Sequence, residues 1–392
     1  MTKLKDIFSK HITGEWGTDP SSKDSVYVLR TTNFTNEGII DYSNVVQRDV
    51  PLAKVQNKQL CKDDIILEKS GGSDNIPVGR VVYCGDEIKE KTYLCNNFTQ
   101  AMRVNTDIAV PKYVFHYMMF LHKTGRTNLL QRKTTGIRNL QIKSYLNLEI
   151  PLPSKARQLD IADILDKIDS LTKLNQQRIN KLNMLVKSRF IEMFGNPIAN
   201  SKHWNKESLD KLAYIKIGPF GSLLHKEDYI EGNFSLINPS HIIDYKIIPD
   251  RKFSITHEKY DELEPYQLKI NDIVMGRRGE IGRAGLVKEE HLLCGTGSLF
   301  IRVNKKILPD FLHAVITFPL FRKSIEDMAV GQTMLNLNVK IVGSLSIILP
   351  PMNLQNEFIS FINQIDKSKA EVQKSLAKLE VLKKSLMQEY FG

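Results

Sequence analysis

The chain is poor in cysteine and has no long apolar run. Cys61, Cys84, Cys95 and Cys294 are its four cysteines among 392 residues, and no two stand three apart. A zinc site needs paired ligands, and His291 with Cys294 is only one such pair. Free thiols in a reducing compartment are the expectation. The longest apolar run, Tyr113 to Leu121, is about half of the ~20 residues a membrane helix needs. The opening Met1-Thr-Lys-Leu-Lys-Asp has no apolar stretch that could serve as a signal peptide. The expectation is a cytoplasmic protein with no membrane attachment. Catalytic motifs are missing as well. There is no Gly-x-x-x-x-Gly-Lys-Ser/Thr phosphate loop, no Gly-x-Ser-x-Gly elbow and no convincing glycine-rich cofactor loop. Asn196-Pro-Ile and Asn238-Pro-Ser lack the second proline and the aromatic of the amino-methyltransferase motif. Glu87-Ile-Lys89 has no Pro-Asp shortly before it, as a nuclease carboxylate motif requires. The nine histidines form no metal-like cluster. These absences point to a non-catalytic recognition protein with no cofactor and no metal of its own.

What is present is a soluble balance of 42% hydrophobic and 25% charged residues, which excludes a mostly disordered chain. At ~150 residues per domain the length suggests two or three domains, and each half can bury its own core. The net charge of +11 is compatible with a polyanionic partner. The excess is spread along the chain, so it locates no groove.

The strongest signal is a gapless internal repeat. Ile150 to Gly195 matches Ile347 to Gly392 at a constant offset of 197 residues. Identities include Leu152/Leu349, Pro153/Pro350, Gln158/Gln355, Ile168/Ile365, Asp169/Asp366, Leu182/Leu379, Lys187/Lys384, Phe194/Phe391 and Gly195/Gly392. Upstream, Asn139/Asn336, Leu140/Leu337 and Lys143/Lys340 keep the same offset. Such a match marks a duplication. Each copy is expected to form one long helix of ~36 residues, ~54 Å at ~1.5 Å per residue. Proline precedes each helix and glycine or the chain end stops it. Ile161, Leu165, Ile168, Ile179, Leu182 and Val186 make one apolar seam. Phe358, Ile362, Ile365, Leu376, Leu379 and Leu386 make the other, in coiled-coil steps of four and three. Thr172, Asn175 and Lys369 put polar groups in mid-seam, where they cost stability but fix register. Each helix could pack on its own domain. Two matched seams more simply pair with each other, and an antiparallel pair would give a pseudo-twofold repeat with one globular unit at each end.

The expected domains are residues 1–149 and 196–346, separated by helical spacers at 150–195 and 347–392. Both globular units read as mixed α/β, with short strands between glycine-rich turns. Weak landmarks recur: Asp64-Ile-Ile with Asp272-Ile-Val, and Arg103-Val-Asn with Arg302-Val-Asn. Three loops are candidates for close contact with a ligand, because glycine lets backbone approach a phosphate or base edge. They are Lys69-Ser-Gly-Gly-Ser73-Asp-Asn75 with Arg80, Gly276-Arg277-Arg278-Gly-Glu-Ile-Gly282 with Arg283, and Gly218-Pro-Phe-Gly-Ser222. Arg277 and Arg278 are the best base-reading candidates, since arginine grips guanine in a bidentate fashion; a solvated hairpin tip is the plain alternative. Lys69, Arg126, Arg132, Lys133 and Arg138 are candidate phosphate contacts. Lys226 and Gln332 complete the candidate DNA-binding set.

With both repeats and these loops in view, the chain resembles the specificity subunit of type I restriction-modification systems over essentially its whole length. The resemblance implies an α+β protein. Its two α/β target-recognition domains are joined by two long antiparallel helices, a coiled coil with a pseudo-twofold internal repeat. It implies that each domain reads one half of a bipartite, asymmetric double-stranded DNA site. The helices fix the unread gap and dock two modification subunits, which bring S-adenosylmethionine and methylate adenine. Restriction subunits add ATP- and magnesium-dependent translocation and cleavage. None of that chemistry is expected in this chain. There are departures: Ser154 stands where the second repeat has Pro351, Lys155-Ala-Arg157 is more basic than its counterpart, and Lys369 and Lys383 are expected to be solvated. A coiled-coil adaptor for proteins and a stand-alone nuclease are the competing readings.

Overall fold

Prolines at the head of each repeat cannot donate to a helical ladder, and the chain turns helical immediately after them. In the computed structural model, which describes residues 1–21, 25–73, 76–134, 137–329 and 336–392, four helices organise the protein. They are α1 (Pro111–Lys123), α2 (Lys155–Phe194), α3 (Pro309–Thr317) and α4 (Met352–Phe391). Helices α2 and α4 have 40 residues each, about one turn longer than expected, and both run to the phenylalanine of the Phe-Gly end. The chain divides into two compact units, Met1–Gln176 with Gln373–Gly392, and Gln177–Val372. Each unit therefore takes one half of α2 and one half of α4. Among the described residues no helix is long and apolar enough to cross a membrane. The apolar run Tyr113–Leu121 is instead buried throughout, inside α1.

In the first unit, a four-stranded antiparallel sheet runs in the order Phe8–Thr13, Thr99–Val104, Ile65–Glu68, Val81–Tyr83. A side sheet carries Val46–Arg48, Val26–Leu29 and Tyr93–Cys95, the last two parallel. Thr2–Lys3 pairs with Glu149–Ile150. Tyr113, Val114 and Met118 of helix α1 share a core with Ile65 and Met102 of the main sheet and with Leu4 and Ile7 of the short turn that precedes it. Ile161 and Leu165 of α2 and Met387 and Phe391 of α4 join that same core.

The second unit repeats the plan by itself. Its main sheet begins Ala213–Ile217, Ser298–Val303, Ile273–Gly276, Ala284–Leu286. Its side sheet carries Ser254–Ile255, Phe234–Ile237 and Leu292–Cys294, again with the last two parallel. Asn205–Ser208 pairs with Ser346–Leu349. Phe190, Phe194 and Phe358 meet Phe311 of α3 in its core.

The landmarks of the sequence are the joints of this plan. Asp64 accepts from the Cys61 amide at 2.8 Å and from Arg103 at 2.8 and 2.9 Å. Asp272 accepts from the Lys269 amide at 2.8 Å and from Arg302 at 2.8 and 2.6 Å. Gln158 and Gln355 are each 1% exposed. Gln158 accepts from the Val110 amide at 2.9 Å and donates to the Pro153 carbonyl at 2.8 Å. Gln355 does the same with Leu308 and Pro350, at 3.0 and 2.9 Å. Each glutamine thus ties the start of a spacer helix to the residue preceding α1 or α3. Gln158→Ala leaves a buried amide without its acceptor, and a loss of about 1–3 kcal/mol is expected. Denaturant unfolding checks it, with the exposed Gln176→Ala as the near-neutral comparison.

Within the first unit the halves of α2 and α4 run antiparallel. Leu165 and Ile161 meet Met387 and Phe391, the Lys383 ammonium pairs with Asp169, and the Asn175 amide donates to the Ser375 hydroxyl at 3.1 Å. Buried Asn175 is the register-setting polar seam group. Thr172 is exposed and turns its hydroxyl back to the Ile168 carbonyl at 2.9 Å. Lys383 and Lys369 correct the expectation of solvated seam lysines. Lys383 bridges the two helices, and Lys369 pairs with Asp366 at 3.3 Å. In the second unit Val186 and Ile362 pack against the aromatic core, and Arg189 pairs with Glu357 at 2.7 Å. Ile179, Leu182, Leu376, Leu379 and Leu386 are half-buried, while Ile168 and Ile365 are buried.

Helix α1 adds an ionisable joint to a carboxylate of α2; at the same repeat offset in α3, His313 faces the Ala284 carbonyl at 3.2 Å instead. His116 is 1% exposed, and its Nε2 lies 2.8 Å from Asp166 of α2, with Lys112 at 3.3 Å from the same carboxylate. Burial outweighs that partner and holds the His116 imidazole below its ordinary range, neutral at pH 7. A histidine whose folded value is depressed contributes stability above its unfolded value, near 6.5, that is lost as pH falls below it. His116→Gln is therefore expected to flatten the fall in thermal midpoint between about pH 7.5 and 5.5.

Candidate nucleic-acid interface

In both units the loops converge on one turn of the main chain. In the second unit this turn is Gly295-Thr-Gly-Ser298. The Arg277 and Arg278 amides donate to the Gly297 carbonyl at 2.9 and 3.3 Å, and the Gly218 amide donates to Ser298 at 3.1 Å. In the first unit it is Asn96-Asn-Phe-Thr99. There the Lys69 and Ser70 amides donate to the Phe98 carbonyl at 2.9 and 3.1 Å, and the Glu15 amide donates to Cys95 at 2.7 Å. The Leu140 amide donates to Lys69 at 2.8 Å and the Leu337 amide to Arg277 at 3.0 Å. These bonds make Lys69 the counterpart of Arg277, and Ser70 that of Arg278.

The third loop also has a counterpart. A Cβ on Gly218 would lie 2.1 Å from the Gly295 carbonyl oxygen, and one on Gly14 would lie 1.8 Å from that of Asn96. Only glycine allows either approach. Gly14-Glu-Trp-Gly17 therefore stands where the second unit has Gly218-Pro-Phe-Gly221. Neither that segment nor the two convergence turns was singled out in the sequence. Their common feature is a set of bonds to backbone carbonyls, which no side-chain pattern records.

Three candidate cations of the first unit, Arg132, Lys133 and Arg138, lie on a three-stranded sheet, Gln131–Thr134, Ile137–Leu140 and Ser70–Gly72. Lys133 faces Arg138 across the hairpin, Arg132 faces Asn139, and Arg138 faces Gly72 on the third strand. Ser70 donates to the Asn139 side chain. Lys69 leads into this sheet, partly buried, and Ser73 follows it, exposed. Arg126 is exposed just before it, its guanidinium 4.8 Å from the Phe120 ring centre. Lys69, Ser73, Arg126, Arg132, Lys133 and Arg138 thus share one region. Arg80 is turned inward. It grips Glu68 with two 2.9 Å bonds and reaches the Phe34 and Thr31 carbonyls at 3.2 Å. Pairing with Glu68 pushes its guanidinium up, so it stays charged. Asn75 and Gln332 lie outside the described residues, as does the Ser222 side chain.

In the second unit, Arg277 and Arg278 part company. Arg277 is 6% exposed, and its guanidinium donates to the Leu337 and Thr296 carbonyls at 3.4 and 3.3 Å. Burial and the neighbouring Arg278 charge lower its affinity for the proton, yet a guanidinium stays protonated. Arg277 braces the convergence turn; Arg278, next to it, is exposed. Arg283 is the counterpart of Arg80, since its carbonyl accepts from Gly276 at 2.8 Å as that of Arg80 accepts from Glu68 at 2.8 Å. It pairs with Glu280 at 2.9 Å. Lys226 is exposed in the one-turn helix Lys226–Asp228, and no side-chain hydrogen bond among the described residues ties it to the turn.

Each of the two repeated α/β units carries a glycine-pinned loop cluster and basic residues, an arrangement suited to a recognition protein with an anionic ligand. Comparison with known proteins agrees. The family model described as type I restriction modification DNA specificity domain matches residues 1–184 and 202–383. The chain belongs to that family and is a specificity subunit of the type I restriction-modification class. It is 22% identical over 382 residues to the type I restriction enzyme MjaVIII specificity subunit of Methanocaldococcus jannaschii, covering 93% of this chain and 85% of that protein. It is 20% identical over 430 residues to the EcoBI specificity subunit of Escherichia coli, covering 99% and 89%. The crystal structure of a type I S subunit from M. genitalium shares the fold. Its TM-score is 0.62 at 17% identity, over 100% of this chain and 95% of that one.

Proposed function

We propose that each unit reads one half of a bipartite DNA site, and that the paired helices set the unread gap and dock the modification subunits. The observation that carries this reading is the duplicated convergence turn. The same backbone scaffold holds Lys69 and Ser70 in one unit and Arg277 and Arg278 in the other. Duplicated scaffolds with different side chains suit two heads of one plan reading different bases. Base contacts supply sequence choice, while lysine and arginine on phosphates supply position and salt dependence. The sheet with Arg132, Lys133 and Arg138 is the first unit's phosphate-holding surface. Methylation of adenine, with S-adenosylmethionine, belongs to the modification subunits, which flip the base out of the duplex. ATP- and magnesium-dependent steps belong to restriction subunits.

The test uses this chain assembled with its modification subunits. Arg278→Ala is expected to cost about 1–3 kcal/mol of discrimination at one position of one half-site and to leave the other half unchanged. Specificity profiling of methylated duplexes reads this out. Equal relaxation of both halves would overturn the assignment of one unit to one half.

A further inference from the structure

We propose that Phe98 in the first unit and Phe220 in the second are specificity-determining residues that touch the bases of their half-sites with an apolar ring. This deepens the reading above and rests on it. Phe98 is 46% exposed and Phe220 65% exposed; a lone exposed ring is ordinary on a protein surface, and what distinguishes these two is their place at the loop clusters.

One ring stands on a convergence turn and the other on the loop pinned against one. Phe98 supplies the carbonyl that holds the Lys69 and Ser70 amides. Phe220 sits in the loop that Gly218 pins against Gly295. The second unit has Gly297 at the place of Phe98, and the first has Trp16 at the place of Phe220. Trp16 is not free: the Arg48 guanidinium lies 4.2 Å over its ring. No such cation or ring stacks on Phe98 or Phe220 among the described residues. Beside its convergence turn, each unit thus presents an open ring among the described residues, from a different loop in each. A surface that is cationic around an apolar point matches a duplex, which is anionic at the phosphates and apolar at base faces and thymine methyl groups.

An apolar base contact has a signature that a phosphate contact lacks. It adds to cognate binding only and releases no counterions. The experiment measures binding of the assembled methyltransferase to a cognate and a scrambled duplex over a salt series. Phe220→Ala and Phe98→Ala are each expected to weaken cognate binding about tenfold. Scrambled binding and the slope of log affinity against log salt should stay the same, and Phe220→Tyr should restore most of the loss. Both side chains are exposed, so an unchanged thermal midpoint is expected and confirms folding. If the parent complex discriminates but both alanine variants match it within twofold, the inference is overturned. Equal weakening on both duplexes overturns it too. If the parent complex itself fails to discriminate, the underlying reading fails instead.

Discussion

Arg302→Ala is expected to destabilise the second unit by about 3–5 kcal/mol, because it strands the buried carboxylate of Asp272. Asp272 is buried and takes three bonds, from the Lys269 amide at 2.8 Å and from Arg302 at 2.8 and 2.6 Å. Alanine removes both guanidinium donors and leaves one amide. The stacking of the Arg302 guanidinium over the Phe300 ring, 5.0 Å from its centre, is lost as well. The pair itself is weak evidence of stability, since an apolar replacement of both partners can be neutral. The informative variant is therefore the double substitution Asp272→Asn with Arg302→Leu, expected to recover much of the loss. Arg103→Ala should do to the first unit what Arg302→Ala does to the second, since Asp64 holds the same bonds. Denaturant unfolding followed by tryptophan fluorescence distinguishes them. Trp16 reports on the first unit and Trp204 on the second.

Phe391→Ala should also cost about 3–5 kcal/mol, although the residue is next to last in the chain. Terminal residues usually tolerate change unless they are tied down. Phe391 is tied down. It is buried, with the rings of Tyr113, Tyr117 and Phe120 at 5.3, 5.6 and 5.8 Å. Truncation to alanine opens a cavity between α1 and the end of α4, both in the first unit. Val381→Ala, ten residues earlier on an exposed face, should change stability by less than about 0.5 kcal/mol. Equal effects for the two would show that the end of α4 does not dock.

The legibility of this fold followed the kind of bond involved. Gln158/Gln355, Asp64/Asp272, Arg103/Arg302 and Phe194/Phe391 recur because side chains make those joints. An amide clamp, an ion pair or a buried ring tolerates few substitutes. The convergence turns did not show, because carbonyl groups hold them, and Phe98 and Gly297 offer the same carbonyl. Gly14 and Gly218 match, but the residues between the glycines of their loops do not. The candidate site was legible as a set of basic loops and no further. Nothing in a run of Gly-Arg-Arg-Gly says which arginine turns in. Arg277 turns in because the Leu337 and Thr296 carbonyls take its donors. Arg80 turns in because Glu68 stands opposite it on the strand. Lys383 is fixed by Asp169 of the other helix, a contact across 214 residues of chain.

The most direct test of the central claim is single-molecule methylation sequencing of the host genome with and without this gene. The expected result is loss of one bipartite adenine-methylation motif, both halves and the gap together. Restoring the gene as Arg278→Ala should return the motif with one half degenerate. An unchanged methylome, in a host that expresses the chain with its modification subunits, would contradict the account.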